Sequence, residues 1–191
     1  MAEGNPDPGH TANLLGALSL VVADRTADAM AAASGLSGTG ATVLSALLHF
    51  LERPTIDLLR RVLGLTSSGT VRLVDRLVEA GYVERLPGTD ARSTSVGLTA
   101  EGRAVAERVT AARAGVLTDA LSDLSEEERR TLDALTGRIL TRYIRGPGAV
   151  RWNCRQCDME ACGRYRGECP VGNEAMRRYP SEASSERRRD R

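Results

Sequence analysis

The chain of 191 residues has no lysine: its 26 cations are all arginine, set against 25 acids for a formal net charge of +1. A GC-rich genome accounts for that bias as readily as a need for planar donors. Aromatic residues are also scarce, six in all: Phe50, Tyr82, Tyr143, Trp152, Tyr165 and Tyr179. No apolar run approaches the roughly 20 residues that a membrane span requires, which excludes a transmembrane protein. The longest, Leu14 to Ala23, has no basic segment before it and runs on into Asp24-Arg25, so it reads as helix and unlike a signal sequence. These absences place the chain in the cytoplasm, with no membrane partner. With two histidines and no GxSxG, HExxH or phosphate-loop motif, little is left for an enzyme to use. There is no internal repeat, and the length suits one domain plus an appendage rather than two full cores.

What is present is unevenly placed. Residues 1–52 hold one Arg against five acids, residues 53–113 ten against seven, residues 114–144 four against six, and residues 145–191 eleven against seven. The basic excess thus falls in two separate segments, a polarity that suits an anionic partner. Gly4, Pro6, Pro8 and Gly9 mark residues 1–10 as a disordered lead. Leu14, Leu15, Leu18, Val21, Val22 and Met30 recur at helical spacing and predict a helix from about Thr11 to Ala33, ended by Ser34-Gly35 and Ser37-Gly38-Thr39-Gly40. A second helix is expected from about Ala41 to Leu51, and both read as core elements of a unit spanning residues 11–52.

Residues 53–98 carry the most informative pattern. Thr55 is placed to cap a short helix to about Leu63, Gly64-Leu65-Thr66 makes a tight turn, and Thr66 caps a second helix to Ala80 with Gly81 just past its end. That is helix-turn-helix spacing. Leu73, Val74, Leu77 and Val78 are expected to face the core, with Thr70 half-buried. Ser67, Ser68, Val71, Arg72 and Arg76 are left for the outer and N-terminal surface. Alternation then replaces helical spacing over residues 82–86 and 93–98, on either side of a Pro87-Gly88 turn, which predicts a hairpin. A helix-turn-helix followed at once by a hairpin is a winged helix, whose second helix enters the major groove of double-stranded DNA. Two further helices follow over residues 99–146. The first has Val105, Val109, Ala112, Val116 and Leu117 as its stripe. The second starts at a Ser125-to-Glu128 capping box and carries Leu132, Leu135, Ile139, Leu140 and Tyr143. The fold class is mainly α, a winged helix-turn-helix with helical elements on both sides.

At Gly64-Leu65-Thr66, Val71 to Leu77, Gly81 to Arg85, Asp90-Ala91-Arg92 and Val96 to Gly102 the sequence resembles the MarR family of bacterial transcription regulators. The likeness extends element by element over roughly residues 11–145. It implies a homodimer whose first and last helices interlock, making 11–52 and 99–146 dimerisation elements and 53–98 the DNA-binding domain. It also implies that Asp90 orients Arg92 at the wing tip, with Arg92 reaching the minor groove. Gly69 inside the recognition helix departs from the pattern and costs about 1 kcal/mol against Ala; so does a wing with a single Arg after Asp90.

All four cysteines lie within sixteen residues, as Cys154-x2-Cys157-x4-Cys162-x6-Cys169 with Pro170 directly after the last. In a reducing cytoplasm these thiols do not persist as disulfides, and the segment 147–179 is expected to fold around a metal. Zinc usually takes two C-x2-C knuckles, and only the first pair has that spacing. Iron–sulfur clusters accept less regular short spacings and often have Pro after the final Cys. The pattern therefore favours an iron–sulfur cluster, [2Fe-2S] or [4Fe-4S], over zinc, with bare redox thiols third. Gly163 and Gly167 would let the loop wrap closely, and Arg155, Arg164 and Arg166 would offset the negative charge. Residues 180–191, with Arg187-Arg188-Arg189, read as a disordered basic tail.

The sequence thus predicts a homodimeric, redox- or iron–sulfur-responsive regulator that binds a near-palindromic operator. Two alternatives remain open: a ligand-responsive regulator with a structural zinc, and a cluster-bearing electron-transfer component that does not bind DNA. For a small-molecule ligand the available lining residues are His49, Phe50 and Tyr82. Core packing is the expected role of the two aromatics and an exposed edge that of His49.

Overall fold

A computed structural model of the chain describes residues 8–88, 93–146 and 148–180. In chain order these form α1 (Pro8–Ser34), α2 (Gly38–His49), α3 (Ile56–Leu63), α4 (Ser67–Glu79), β1 (Val83–Pro87), β2 (Thr94–Leu98), α5 (Ala100–Asp119), α6 (Glu126–Thr141), α7 (Ala149–Asn153) and α8 (Pro170–Arg178), with a 3-10 turn at Arg164–Arg166. Hydroxyl caps set most of the starts. Ser37, Thr55, Thr66, Thr99 and Ser125 each accept the N–H of the residue three further on, and Ser125 with Glu128 completes the expected capping box. Each such cap stabilises its helix by about 1 kcal/mol.

The core gathers α2, α3, α4, the wing and α5. Val43, Leu44, Ala46, Leu59, Val74, Leu77, Val83, Val96, Val105 and Val109 are all but sealed from solvent. β1 and β2 pair antiparallel with Val83 opposite Leu98 and Arg85 opposite Val96. The inner strand is tied to the start of α3: the Val96 N–H donates to the Pro54 carbonyl at 2.9 Å, and Thr55 bridges Ser95. The wing therefore moves with the helix-turn-helix.

Several expectations need correction. The α1 helix already includes Pro8, Gly9 and His10, inside the expected lead. The glycines at 38 and 40 do not break the chain; Ser37 caps them into the first turn of α2. The predicted core role of α1 fails over most of its length, where Leu14, Leu15, Leu18, Leu20 and Val21 are exposed and only Thr26 and Met30 are buried. Helix α6 stops at Thr141, short of Gly146, and leaves Leu135, Ile139, Leu140 and Tyr143 open to solvent. Among the described residues no single helix is long and apolar enough to cross a membrane; α1 and α2 together have the length and composition but meet at a bend of 81°, and α2 is buried in the core.

Candidate nucleic-acid interface and cysteine segment

Gly64 makes the turn between α3 and α4. It lies in the left-handed region at φ 66°, ψ 31°, and its N–H closes α3 onto the Arg60 carbonyl. Thr66 then starts α4 by capping the Gly69 N–H. A Cβ on Gly69 would sit 3.0 Å from that cap hydroxyl, so the glycine that costs helix propensity leaves the cap undisturbed. Leu73, Val74 and Leu77 face inward as expected. Thr70 is fully buried rather than half-buried, its hydroxyl donating to the Thr66 carbonyl at 3.0 Å. Val78 is exposed, one position past the buried stripe.

The opposite face of α4 presents Ser67, Ser68, Val71, Arg72 and Arg76 to solvent together. Among the described residues neither arginine is in an ion pair; Arg76 Nε reaches only the Arg72 carbonyl, at 3.4 Å. Several other nearby charges are already matched. Arg60 and Arg61 both pair with Asp57. Asp75 pairs with Arg85 of β1 at 2.7 Å, a tie between recognition helix and wing that the spacing did not reveal because it joins residues from two elements. Two cations are thus left available on the outer face of α4, beside two hydroxyls at its N-terminus. Such a surface can meet phosphates and base edges. The expected wing-tip residues Asp90 and Arg92 lie outside the described residues.

The cysteine segment folds into a second apolar cluster, with Ile144, Val150, Cys154, Cys169 and Val171 at its centre and Phe50 packed on both this cluster and the main core. All four thiols are free. The neighbouring Cys154 holds the Cys157 thiol down to about 7, against burial and with help from Arg113 and Arg164. Cys157 in turn, with burial, pushes Cys154 up. Burial first, and the Cys169 contact second, push Cys162 up. The buried Gly172 N–H donates to Cys169 Sγ at 3.3 Å, so this sulfur caps α8. Among the described residues no three His, Cys, Asp or Glu side chains are gathered to hold one metal ion. The donor chemistry nevertheless suits a thiolate-bound group. The loop bends through Gly163 and Gly167, both at positive φ, and Arg164 lies beside the thiols.

This segment touches the rest of the fold at several points. The Trp152 ring lies against Gly64, where a Cβ would come within 2.7 Å of its Cη2. Gln156 Nε2 donates to Thr42 Oγ1 of α2 at 2.6 Å. Pro170 packs on the buried Gly137 of α6. His49 is half-buried instead of on an exposed edge, with Nε2 3.1 Å from Thr110 Oγ1 of α5 and Nδ1 3.9 Å from the Asp158 carboxylate. Phe50 and Tyr82 pack on the core, as expected.

Two helices joined by a tight turn, a buried stripe on the second and a tied two-stranded wing define a winged helix-turn-helix protein. The MarR family profile matches residues 34–93, which run from the end of α1 into the wing, so this part of the chain is similar to that family. The HTH-type transcriptional regulator PecS of Dickeya dadantii is 40% identical over 76 residues, which cover 39% of this chain and 46% of that protein. The chain thus matches less than half the length of this curated relative. RV1404 from Mycobacterium tuberculosis superposes with a TM-score of 0.61 at 26% identity, covering 73% of this chain and 97% of that one. Wild-type MarR from E. coli in its apo form gives 0.54 at 25% identity, over 66% and 96%.

Proposed function

We propose that the chain is a DNA-binding transcription regulator that acts as a homodimer on a near-palindromic operator, and that its four cysteines hold an iron–sulfur centre whose state sets DNA affinity. The exposed face of α4 carries this reading, with Ser67 and Ser68 at the helix N-terminus and two arginines unclaimed by any acid among the described residues. Sequence is read by such side chains in the major groove while hydroxyls and arginines hold phosphates. A dimer is supported by the apolar residues left open on α1 and α6, which a second copy would bury. Arg92, with Asp90, is assigned to the minor groove beside the recognition helix.

Cys154, Cys157, Cys162 and Cys169 would bind the centre. An iron–sulfur cluster supplies a one-electron couple and sensitivity to oxidants or iron supply. Four cysteines supply the protein ligands of a [2Fe-2S] or a [4Fe-4S] cluster alike. The Cys157 N–H donates to the Cys154 carbonyl at 2.8 Å, a tight C-x2-C turn that also fits a zinc knuckle, and this favours a structural zinc as the second reading.

The test is the absorption spectrum of anaerobically purified protein, with iron, sulfide and zinc assayed on the same sample, followed by binding to DNA selected from a random duplex library at several salt concentrations. Visible charge-transfer bands with stoichiometric iron and sulfide support the cluster; one zinc per chain supports the clip. Specific binding that weakens steeply with salt is expected. A salt slope near zero, or no sequence preference, overturns the DNA-binding reading.

A further inference from the structure

We propose that Trp152 is the positioning residue through which the thiolate centre sets the helix-turn-helix, by holding or releasing the Gly64 turn. The inference rests on the reading of the four cysteines as a metal site on a DNA-binding regulator. Two of the segment's docking points lie at its two ends. Trp152, two residues before Cys154, lies on the turn that joins α3 to the recognition helix. Pro170, directly after Cys169, lies on Gly137 of α6. A group that draws the four sulfurs together fixes the distance between these contacts, and so couples α6 to the turn.

Trp152 is suited to that task. Its ring is large and rigid, the glycine beneath it has no side chain to keep it away, and the Arg155 guanidinium lies 4.6 Å from its centroid on a side chain that also donates to the Trp152 carbonyl at 2.8 Å. Residues 152 and 155 flank Cys154, whose N–H ends α7 on the Val150 carbonyl at 2.8 Å. Reorientation at Cys154 is therefore carried to the ring within one helical turn. On the other side of the contact, the Leu65 N–H closes the turn onto the Arg60 carbonyl at 3.1 Å. That bond is the first to weaken if Gly64 is freed. With 44% of its surface exposed, Trp152 is held by few contacts and is able to leave without disrupting the core. Gln156 to Thr42 is a second tie on the same loop, and it keeps the segment attached to α2 when the ring moves.

The experiment uses full-length protein loaded either with ferrous iron and sulfide under anaerobic conditions or with Zn2+, and the same protein stripped by chelation. Amide exchange at Leu65 is followed by mass spectrometry or NMR, together with the emission of Trp152, the chain's single tryptophan. Stripping the metal is expected to lower Leu65 protection roughly tenfold and to move the tryptophan emission to longer wavelength. In Trp152→Ala the metal still binds, Leu65 protection is low throughout and its metal dependence is lost; Trp152→Phe retains most of it. Leu65 protection that is the same with and without metal, or that depends on metal equally in Trp152→Ala, overturns the proposal, as does failure of both metals to bind. DNA affinity is measured alongside. If the turn responds to metal while the protein binds no DNA, the functional reading fails and the coupling stands.

Discussion

Gly64 has two independent reasons to be glycine. Its backbone is left-handed, which costs a residue with a Cβ about 1–3 kcal/mol when held in place, and its missing side chain makes room for Trp152. Gly64→Ala is therefore expected to destabilise the fold in urea unfolding by more than the backbone's own share of about 1–3 kcal/mol. The cost should be smaller when Trp152→Ala is already present, because only the backbone part then remains. Equal costs in the two backgrounds would show that the ring does not press on the turn. The first of these reasons was legible in the sequence, since a glycine between two capped helical patterns signals a turn. The second was not, because 88 residues separate the partners and nothing in local pattern joins them. Gly102 is a similar case: it was quoted only as part of a motif, yet a Cβ there would fall 1.7 Å from the Tyr82 carbonyl oxygen, so it lets α5 lie against the residue that leads into the wing.

Recognition helix α4 was readable almost residue by residue, because caps, turn glycine and apolar stripe all act within the element itself. Its exposed face makes a clear prediction. Arg72→Ala and Arg76→Ala should each weaken DNA binding, and each that contacts a phosphate should lower the salt slope by about 1; a base contact instead costs about 1–3 kcal/mol at one operator position. Anisotropy titrations over a range of salt decide between them. Helix α8 was not foreseen as an element. Its last turn is organised by Glu174, which accepts from both Arg177 and Arg178, and these two bonds hold its carboxyl down to about 2. Since the folded value lies below the ordinary one of about 4.3, the stabilisation is present above that pH and is lost as pH falls toward 2. Amide exchange over residues 170–178 should accelerate between about pH 4.5 and pH 2, in the same pattern that Glu174→Gln shows at neutrality. Exchange independent of pH, after correction for its intrinsic rate, would rule this out. The Cys spacing announced a compact segment but could not show what it rests on, which depends on how α7 and α8 dock.

For the molecule as a whole, α1 and α6 read as apolar stripes in the sequence, but periodicity cannot say whether a stripe faces its own core or another chain. The structure leaves Leu18 and Ile139 more than a third exposed, and the proposed dimer would cover them. Leu18→Glu combined with Ile139→Glu is expected to yield a monomer by light scattering, with helical content retained and operator affinity reduced at least tenfold. A dimer that survives both changes would place the interface elsewhere. The docking of the cysteine segment also orders events during synthesis. Its footholds, Thr42, Gly64 and Gly137, all precede it in the chain. At roughly 5–20 residues per second, several seconds separate the emergence of β2 from that of Cys154. A ribosome-bound chain thus exposes α4 and both wing strands before Cys154 has been translated, so the docking surface is presented before the segment that docks on it.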